Sequence, residues 1–252
     1  QKLRFVLKNT NNKGTQKLST KQKKLILLLN KGKKTYAQLR DHKFTKPSIN
    51  FFLKTNLVKE EKVRMTINHN CQMKEDFLIT LNKDQDIALS KISKSISSNK
   101  VKPILFDGVM GSGKTEVYFK IIESYIRKRK QVLILLPEIA LSTQWIMRFE
   151  KVFDFQPLIW NSEVSLTKKN LIWQSALNND PIVVVGARSS LFLPFKNLGI
   201  IIVDEESDAS YKQEDLIIYN ARDMAIVRAS ICLNSILLVS ATHSLESYNN
   251  AK

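Results

Sequence analysis

Residues 104–115 are Ile104-Leu-Phe-Asp-Gly108-Val-Met-Gly111-Ser-Gly113-Lys114-Thr115, an apolar run that leads into a glycine-rich loop. The last eight match the G-x-x-x-x-G-K-[ST] pattern, which joins a strand to a helix and binds nucleotide phosphates. Glycines let backbone N–H groups close on phosphate oxygens, and the N-terminus of the following helix favours an anion. Three of the chain's seven glycines stand in this loop, so the sequence predicts a nucleotide site.

The side chains around this loop have expected tasks. Lys114 would reach the β and γ phosphates of ATP, and the Thr115 hydroxyl would bind Mg²⁺. Another buried strand must supply a carboxylate, and Asp204 and Glu205 directly follow the apolar run Ile200–Val203. Asp204 would complete the Mg²⁺ site, whereas Glu205 would orient and deprotonate the attacking water. The predicted cofactor-binding residues of the loop are Gly108, Gly111, Ser112, Gly113, Lys114 and Thr115, and the predicted catalytic residues are Lys114, Asp204 and Glu205.

From Leu81 onward, apolar runs alternate with amphipathic helical stretches. The predicted strands are Pro103–Asp107, Gln131–Pro137, Pro157–Trp160, Pro181–Val185, Leu198–Val203 and Ser235–Val239. The predicted helices include Glu116–Lys130, Ile139–Phe153 and Ala221–Leu233. Strands that are apolar throughout are typical of a parallel sheet covered on both faces. We therefore predict an α/β fold, a RecA-like phosphate-loop NTPase lobe with a parallel sheet, over residues 81–252.

The net charge of +17 is concentrated in the N-terminal segment. Residues 1–68 hold 18 Lys and Arg against 3 Asp and Glu, whereas residues 69–252 hold 22 against 20. A dense basic module beside a nearly neutral one indicates a part that binds a polyanion such as DNA. A Lys-rich composition that merely solvates a surface is the alternative.

Three short helices and a hairpin are predicted in the basic segment. The helices are Lys21–Leu29 after Ser19, Tyr36–His42 after Thr35, and a third that runs from Thr45 to about Thr55. The alternating stretch Leu57–Ile67 predicts the hairpin, and the whole pattern is typical of a winged helix whose third helix faces DNA. We predict this small basic domain over residues 15–68, after a linker or strand remnant at 1–14 and before a connector at 69–80. Its candidate DNA contacts are Lys43, Lys46, Ser48, Asn50 and Lys54.

Several further segments resemble the motifs of superfamily-two helicases and, in detail, those of the PriA family of replication-restart DNA helicases. They are Leu81-Asn-Lys-Asp-Gln85, Gly111-Ser-Gly-Lys-Thr-Glu-Val-Tyr118, Leu136-Pro-Glu-Ile-Ala-Leu141 with Thr143 and Gln144, Gly186-Ala-Arg188-Ser189 with Leu191–Phe195, Asp208-Ala-Ser-Tyr211-Lys212-Gln213, Tyr219-Asn-Ala-Arg222-Asp223 and Ser240-Ala-Thr242. The resemblance covers roughly residues 15–250, and it implies that Gln85 touches the adenine. The DNA-contacting residues that it implies in the lobe are Thr143, Arg188, Ser189, Tyr211 and Lys212, and the implied coupling residues are Ser207, Ser240 and Thr242.

The resemblance also implies an activity. Members of the family are ATP-dependent DNA helicases that move 3′ to 5′, take part in primosome assembly and restart stalled replication forks. The implied cofactors are ATP and Mg²⁺, and the implied partners are forked or single-stranded DNA, primosome proteins and single-strand-binding proteins in the cytoplasm. The full-length family also binds zinc, for which this chain offers no paired cysteines. Since both ends of the sequence look cut, we expect a fragment that holds only the ATP-binding lobe and is inactive alone.

Two departures from the family pattern affect the coupling between ATP and DNA. Where the family usually has Asp-Glu-Glu-His, this chain has Asp-Glu-Glu-Ser, with Ser207 in the last position. Where the family usually has Ser-Ala-Thr-Pro, this chain has Ser-Ala-Thr-His, with His243 in the last position. We expect Ser207, which is shorter than histidine, to be unable to carry the same bridge to Ser240 and Thr242. His243 is expected to be an ordinary loop residue, with substitution for the missing histidine as the alternative.

The sequence leaves two alternatives to a helicase open. A DNA-binding adaptor that uses ATP as a switch without efficient hydrolysis is the main alternative. A small-molecule kinase is disfavoured by the long interval between Thr115 and Asp204. Cys71 and Cys232 are expected to be reduced thiols. The sequence has no window of about 18 uninterrupted apolar residues, so we expect neither a membrane span nor a membrane partner.

Overall fold

The computed structural model describes residues 4–7, 19–61, 79–98, 102–137, 143–215 and 217–251. Two compact units divide the chain, Gln1–Thr66 and Ile67–Lys252. None of the helices in the described ranges is long and apolar enough to cross a membrane. Several predicted features lie outside the described residues. They are most of the connector, the second half of the hairpin, Cys71, and residues 138–142 of one motif.

The described residues of the first unit, 4–7 and 19–61, form three helices and three short strands. The helices are α1 (Thr20–Asn30), α2 (Tyr36–Asp41) and α3 (Lys46–Lys54), and the strands are β1 (Arg4–Leu7), β2 (Lys34–Thr35) and β3 (Val58–Glu61). The predicted caps are in place, because the hydroxyls of Ser19 and Thr35 each accept a hydrogen bond from a backbone N–H in the first turn of the following helix. The buried core of this unit includes Leu25, Leu29, Leu39, Phe44, Ile49, Phe52 and Val58.

Strand β1 lies at the centre of the small sheet, between β2 and β3. It pairs antiparallel with both, so that Arg4 lies opposite Thr35 and Leu7 lies opposite Val58. The sequence places these residues in a linker or strand remnant, whereas the structure makes them part of the sheet. A domain cut at residue 15 would therefore remove the central strand.

The second unit is built around a six-stranded parallel sheet with the order β4-β11-β8-β5-β7-β6. Its strands are β4 (Ile104–Asp107), β5 (Gln131–Leu135), β6 (Leu158–Trp160), β7 (Val183–Gly186), β8 (Leu198–Asp204) and β11 (Ser235–Ser240), and a separate two-stranded hairpin is formed by β9 (Lys212–Gln213) and β10 (Tyr219–Asn220). Its helices are α4 (Lys83–Ser97), α5 (Lys114–Arg127), α6 (Thr143–Phe153), α7 (Leu166–Leu177), α8 (Ala221–Cys232) and α9 (Leu245–Ala251). The predicted α/β fold with a parallel sheet is confirmed.

Both faces of the sheet are buried, as its uniformly apolar strands predict. Along β5, Val132 and Ile134 join one core cluster while Leu133 and Leu135 join the other. Helices α4, α5 and α6 contribute to the first cluster, and α7 and α8 contribute to the second. Each fully buried Leu, Ile or Phe stabilises the fold by roughly 1.5–3 kcal/mol. The sheet is therefore a firm base for the loops at its edge.

The carboxyl ends of the parallel strands meet at one edge of this sheet. Strands β4, β11 and β8, which are neighbours, lead into the phosphate loop, the Ser240–Thr242 segment and the acidic turn that starts at Asp204. Strands β5 and β7, on the other half, lead toward Thr143 and Arg188. The strand order thus separates the predicted nucleotide residues from the predicted DNA contacts, with β8 and β5 adjacent at the border.

Candidate active site

The phosphate loop connects β4 to α5 as predicted. Gly111 and Gly113 adopt left-handed backbone angles, with φ of 76° and 79°, and Gly113 is the cap residue of α5. Lys114 begins the helix, and its ammonium donates to the carbonyls of Gly108 and Val109, 3.0 Å away for Val109. The one flexible cation of the loop is therefore held inside it, where phosphate oxygens would be bound.

Gln85 braces this loop from α4. Its Nε2 donates to the Ser112 carbonyl at 3.0 Å, and its Oε1 accepts from the backbone N–H of Asn82 at 2.9 Å. A Cβ on Gly113 would lie only 2.2 Å from Gln85 Nε2. The Gln85 side-chain amide therefore binds the N-cap of α4 through its oxygen and the phosphate loop through its nitrogen. The adenine contact implied by the resemblance stays a prediction.

Asp204, at the end of β8, is the first acidic residue of the site. Its Oδ2 accepts from the Tyr118 hydroxyl at 2.8 Å, and its Oδ1 accepts from the Glu205 N–H at 3.0 Å. Burial raises the pKa of Asp204, against the opposing effects of these two hydrogen bonds and the Lys114 charge. Trp145 donates in turn to the Tyr118 oxygen at 2.8 Å.

Thr115 lies one helical turn before Tyr118 on α5, and the Tyr118 hydroxyl binds Asp204. The two predicted Mg²⁺ ligands are therefore brought to the same edge of the sheet by α5 and β8. Their oxygen atoms are the hard ligands that Mg²⁺ prefers, and Mg²⁺ in such sites uses one or two carboxylates together with substrate phosphates. The donor set fits the metal. Within the described residues, no group of three or more His, Cys, Asp or Glu side chains is placed to hold a metal ion.

Glu205 is exposed and faces the same edge. Its backbone is left-handed, with φ of 49°, which turns its side chain away from the direction of β8. Partial burial and the neighbouring carboxylates of Asp204 and Asp208 raise the pKa of Glu205. A raised pKa makes a carboxylate a better proton acceptor near neutral pH, as a general base requires.

Glu206 was given no role by the sequence, yet its carboxylate is the most heavily hydrogen-bonded acid at this edge. It accepts from the Ser244 N–H at 2.9 Å and the Ser247 hydroxyl at 3.0 Å, and it pairs with Arg222 at 3.2 Å. Burial tends to raise the pKa of Glu206, but these bonds and the contact with His243 outweigh it and lower the pKa. Breaking a buried pair of this kind typically costs about 3–5 kcal/mol, so the turn after β8 is firmly anchored.

His243 is not an ordinary loop residue, and that expectation is wrong. Its side chain is only 5% exposed, with Nδ1 3.1 Å from Glu206 Oε1 and Nε2 3.6 Å from Asp107 Oδ1. Nε2 has no hydrogen-bond partner within the described residues. Because Asp107 ends β4 and Glu206 follows β8, the imidazole lies between the phosphate loop and the acidic turn.

Ser207 reaches Ser240 in spite of its short side chain. The two hydroxyl oxygens lie 3.3 Å apart, and Ser240 Oγ accepts from the Thr242 N–H at 3.0 Å. The reason lies in the backbone, since the Glu206 N–H donates to the Val239 carbonyl at 3.0 Å and brings the two turns together. Ser207 thus contacts Ser240, whereas the effect of the serine on the bridge to both residues and on coupling stays a prediction.

The predicted DNA contacts of the lobe differ in exposure. Thr143, the first residue of α6, and Ser189, which follows β7, are exposed. Arg188 is half-buried and donates to the Lys212 carbonyl at 2.7 Å, while the Lys212 ammonium is exposed and pairs with Glu214 at 2.8 Å. These side chains lie beyond the ends of β5 and β7, or on the hairpin tied to them.

Tyr211 needs a correction, because it is only 1% exposed. Its hydroxyl lies 3.0 Å from the Leu135 carbonyl and 2.6 Å from the Asp204 carbonyl. The ring fills the core beneath the sheet edge, so it cannot lie against DNA in this arrangement. Tyr211 instead ties the end of β5 to the end of β8.

The DNA contacts predicted in the first unit surround α3. Lys43, Lys46, Asn50 and Lys54 are exposed, whereas Ile49 and Phe52 on the same helix are buried. Ser48 is occupied at the helix start, where its hydroxyl donates to the Thr45 carbonyl at 2.7 Å. The exposed face of α3 is thus basic.

Residues 82–251 match the family model of the DEAD/DEAH box helicases. The chain is similar to replication restart protein PriA of Rickettsia conorii, with 51% identity over 193 residues that cover 77% of this chain and 28% of that protein. PriA of Bacillus subtilis is 38% identical over 207 residues, covering 81% of this chain and 26% of that protein. Among solved structures, RecG bound to a three-way DNA junction gives a TM-score of 0.50 at 26% identity, covering 69% of this chain and 22% of that chain. The chain spans about a quarter of the length of these curated relatives.

Proposed function

Because the chain belongs to the DEAD/DEAH box helicase family, we propose that it is the ATP-binding lobe of a DNA helicase that restarts stalled replication forks. Its main support is geometric: Lys114, Asp204 and Glu205 meet at one edge of the sheet. The Ser207–Ser240 contact lies at the same edge. The relatives that it resembles are named for replication restart, which supports forked DNA as the proposed substrate.

The chemistry follows from the positions of these side chains. Lys114 would exchange its loop carbonyls for phosphate oxygens and neutralise their charge. Thr115 and Asp204 would hold Mg²⁺, which supplies charge stabilisation to the phosphates when it is bound. Glu205, with its raised pKa, would take a proton from the attacking water. Loss of the γ phosphate would then shift the turn that contains Ser207 and, through the contact between the two hydroxyls, change the position of Ser240.

Finer parts of the proposal come from the relatives. We infer 3′ to 5′ movement, assembly with primosome and single-strand-binding proteins, and a cytoplasmic location from the resemblance to the PriA family. Zinc belongs to the full-length family proteins rather than to the residues of this chain. The adaptor alternative is less well supported, because the matching family model describes helicases and the similar relatives are replication restart proteins.

The full-length protein is expected to hydrolyse ATP at about 1 s⁻¹ or faster on forked DNA and to unwind that fork. Glu205→Gln should remove turnover while preserving ATP binding, because the amide cannot accept the proton but keeps the shape. Turnover with a forked substrate and without DNA checks this, together with unwinding of a labelled fork. ATP binding without turnover would favour the adaptor, and turnover indifferent to DNA but driven by a small molecule would favour a kinase.

The first unit is expected to bind DNA through phosphates, with affinity that falls steeply as salt rises. Each neutralised phosphate contributes about −0.9 to the slope of log affinity against log salt on duplex DNA. The fragment tested should be residues 1–68, because β1 completes its sheet. Lys46→Glu with Lys54→Glu should make the slope shallower by roughly 2, as measured by fluorescence anisotropy.

Lys33→Ala is the matched control for that measurement. Lys33 is already paired with Glu61 at 2.7 Å, so its loss should change the slope little. Binding that is insensitive to salt between roughly 50 and 200 mM would show that the charge of this unit only solvates its surface.

A further inference from the structure

The Tyr118 hydroxyl lies where three parts of the lobe meet. Tyr118 is fully buried on α5, and it contacts Asp204 at the end of β8 and Trp145 on α6, each at 2.8 Å. A single oxygen atom on α5 therefore makes hydrogen bonds to side chains from β8 and α6.

The directions of these bonds are fixed by the number of protons. The Tyr118 hydroxyl has one proton, which goes to Asp204, since a carboxylate can only accept. Trp145 can only donate, so its N–H points to the Tyr118 oxygen. Asp204 is thereby held with its Oδ2 on the phenol.

Trp145 is itself rigidly packed. Its ring stacks on Phe149 with centroids 5.5 Å apart and meets Phe119 edge-on at 5.6 Å. A second link joins the same two helices, because Arg148 on α6 forms an ion pair with Glu116 on α5. Helix α6 begins at Thr143, a candidate DNA contact, only two residues before Trp145. Helix α6 is thus in direct contact with the phenol through Trp145.

We propose that Tyr118 is a positioning residue that orients Asp204 for Mg²⁺, and that Trp145 links this orientation to α6. The inference deepens the proposed function, on which its ATP and DNA parts rest. It adds two residues that do not belong to the predicted catalytic set. Removing the hydroxyl should loosen this metal ligand while leaving the loop around Lys114 intact.

The test uses the full-length protein with Tyr118→Phe, Trp145→Phe and a control, Tyr125→Phe. Tyr125 lies on the same helix and makes a similar hydroxyl bond, to Ser235 at 2.8 Å, near the opposite edge of the sheet. Binding of Mn²⁺ with a nonhydrolysable ATP analogue is followed by electron paramagnetic resonance, without any need for turnover. Tyr118→Phe should weaken Mn²⁺ binding about tenfold, Trp145→Phe should weaken it about threefold, and Tyr125→Phe should leave it unchanged.

Two controls distinguish a lost orientation of the metal ligand from a general loss of stability. They are binding of the ATP analogue in EDTA and the melting temperature without nucleotide, and both should change little in Tyr118→Phe. Wild-type Mn²⁺ affinity in Tyr118→Phe would overturn the inference, as would an equal loss in Tyr125→Phe. If Tyr118→Phe does not fold, unaltered Mn²⁺ affinity in Trp145→Phe would overturn the link to α6. If the unaltered protein binds Mn²⁺ and the ATP analogue but hydrolyses no ATP, the proposed function is contradicted, whereas the inference about Tyr118 is not.

Discussion

Lys114→Ala is expected to weaken ATP binding about 100-fold and to lower turnover of the full-length protein by about 10²–10³. The Lys114 ammonium already lies inside the loop on the carbonyls of Gly108 and Val109. It is therefore placed to neutralise charge on the phosphates, both in the bound state and in the transition state. Isothermal titration with ATP and a steady-state hydrolysis assay measure the two effects.

Two further variants make that result specific. Lys114→Met keeps the length and apolar stem of the side chain, so it should be as defective as alanine if the charge is what matters. Lys91→Ala removes an exposed lysine from α4 and should behave like the unaltered protein. Unchanged nucleotide affinity in Lys114→Ala would remove the central claim about this loop.

The 252 residues alone are expected to hydrolyse ATP at close to background rate, and a second lobe to raise the rate by about 10³–10⁵. In motors of this class an arginine from the second lobe stabilises charge on the γ phosphate. Within the described lobe, the arginines near the sheet edge are engaged elsewhere: Arg188 donates to the Lys212 carbonyl and Arg222 pairs with Glu206. Arg228 donates to the Leu191 and Leu193 carbonyls.

Turnover numbers of the 252-residue chain and of the full-length protein, each with and without forked DNA, check this expectation. Lys114→Ala in both lengths is the control for contaminating ATPases. A DNA-stimulated rate of about 1 s⁻¹ from the 252 residues alone would contradict the half-motor interpretation.

Local sequence patterns were enough for the sheet and the phosphate loop. Each parallel strand is a short apolar run bounded by polar residues, and Gly108–Thr115 has a spacing that few other structures require. The resemblance to the PriA family, which depends on short segments next to these strands, is also confirmed by the identities with its members. Helices α4, α7 and α9 were not among the helical stretches named from the sequence.

The contacts that hold the site together could not be predicted from the sequence. Tyr118 and Asp204 are 86 residues apart, and nothing in the periodicity of either segment pairs them. His243 and Tyr211 look like residues of exposed loops because polar neighbours surround them in sequence, yet both are buried. Burial of a loop side chain depends on the arrangement of the neighbouring strands, which only the fold provides.

Changes at Gly113 and Gly111 would have different consequences during evolution. Any side chain at position 113 would meet Gln85 Nε2 at 2.2 Å, so the Gln85 amide would have to swing off the Ser112 carbonyl. The left-handed backbone at position 113 would also cost an ordinary residue about 1–2 kcal/mol. Gly111 faces only that backbone cost, because no described atom lies within 4 Å of the place where its Cβ would stand. A lineage released from selection for nucleotide binding would thus be expected to lose Gly111 more readily than Gly113.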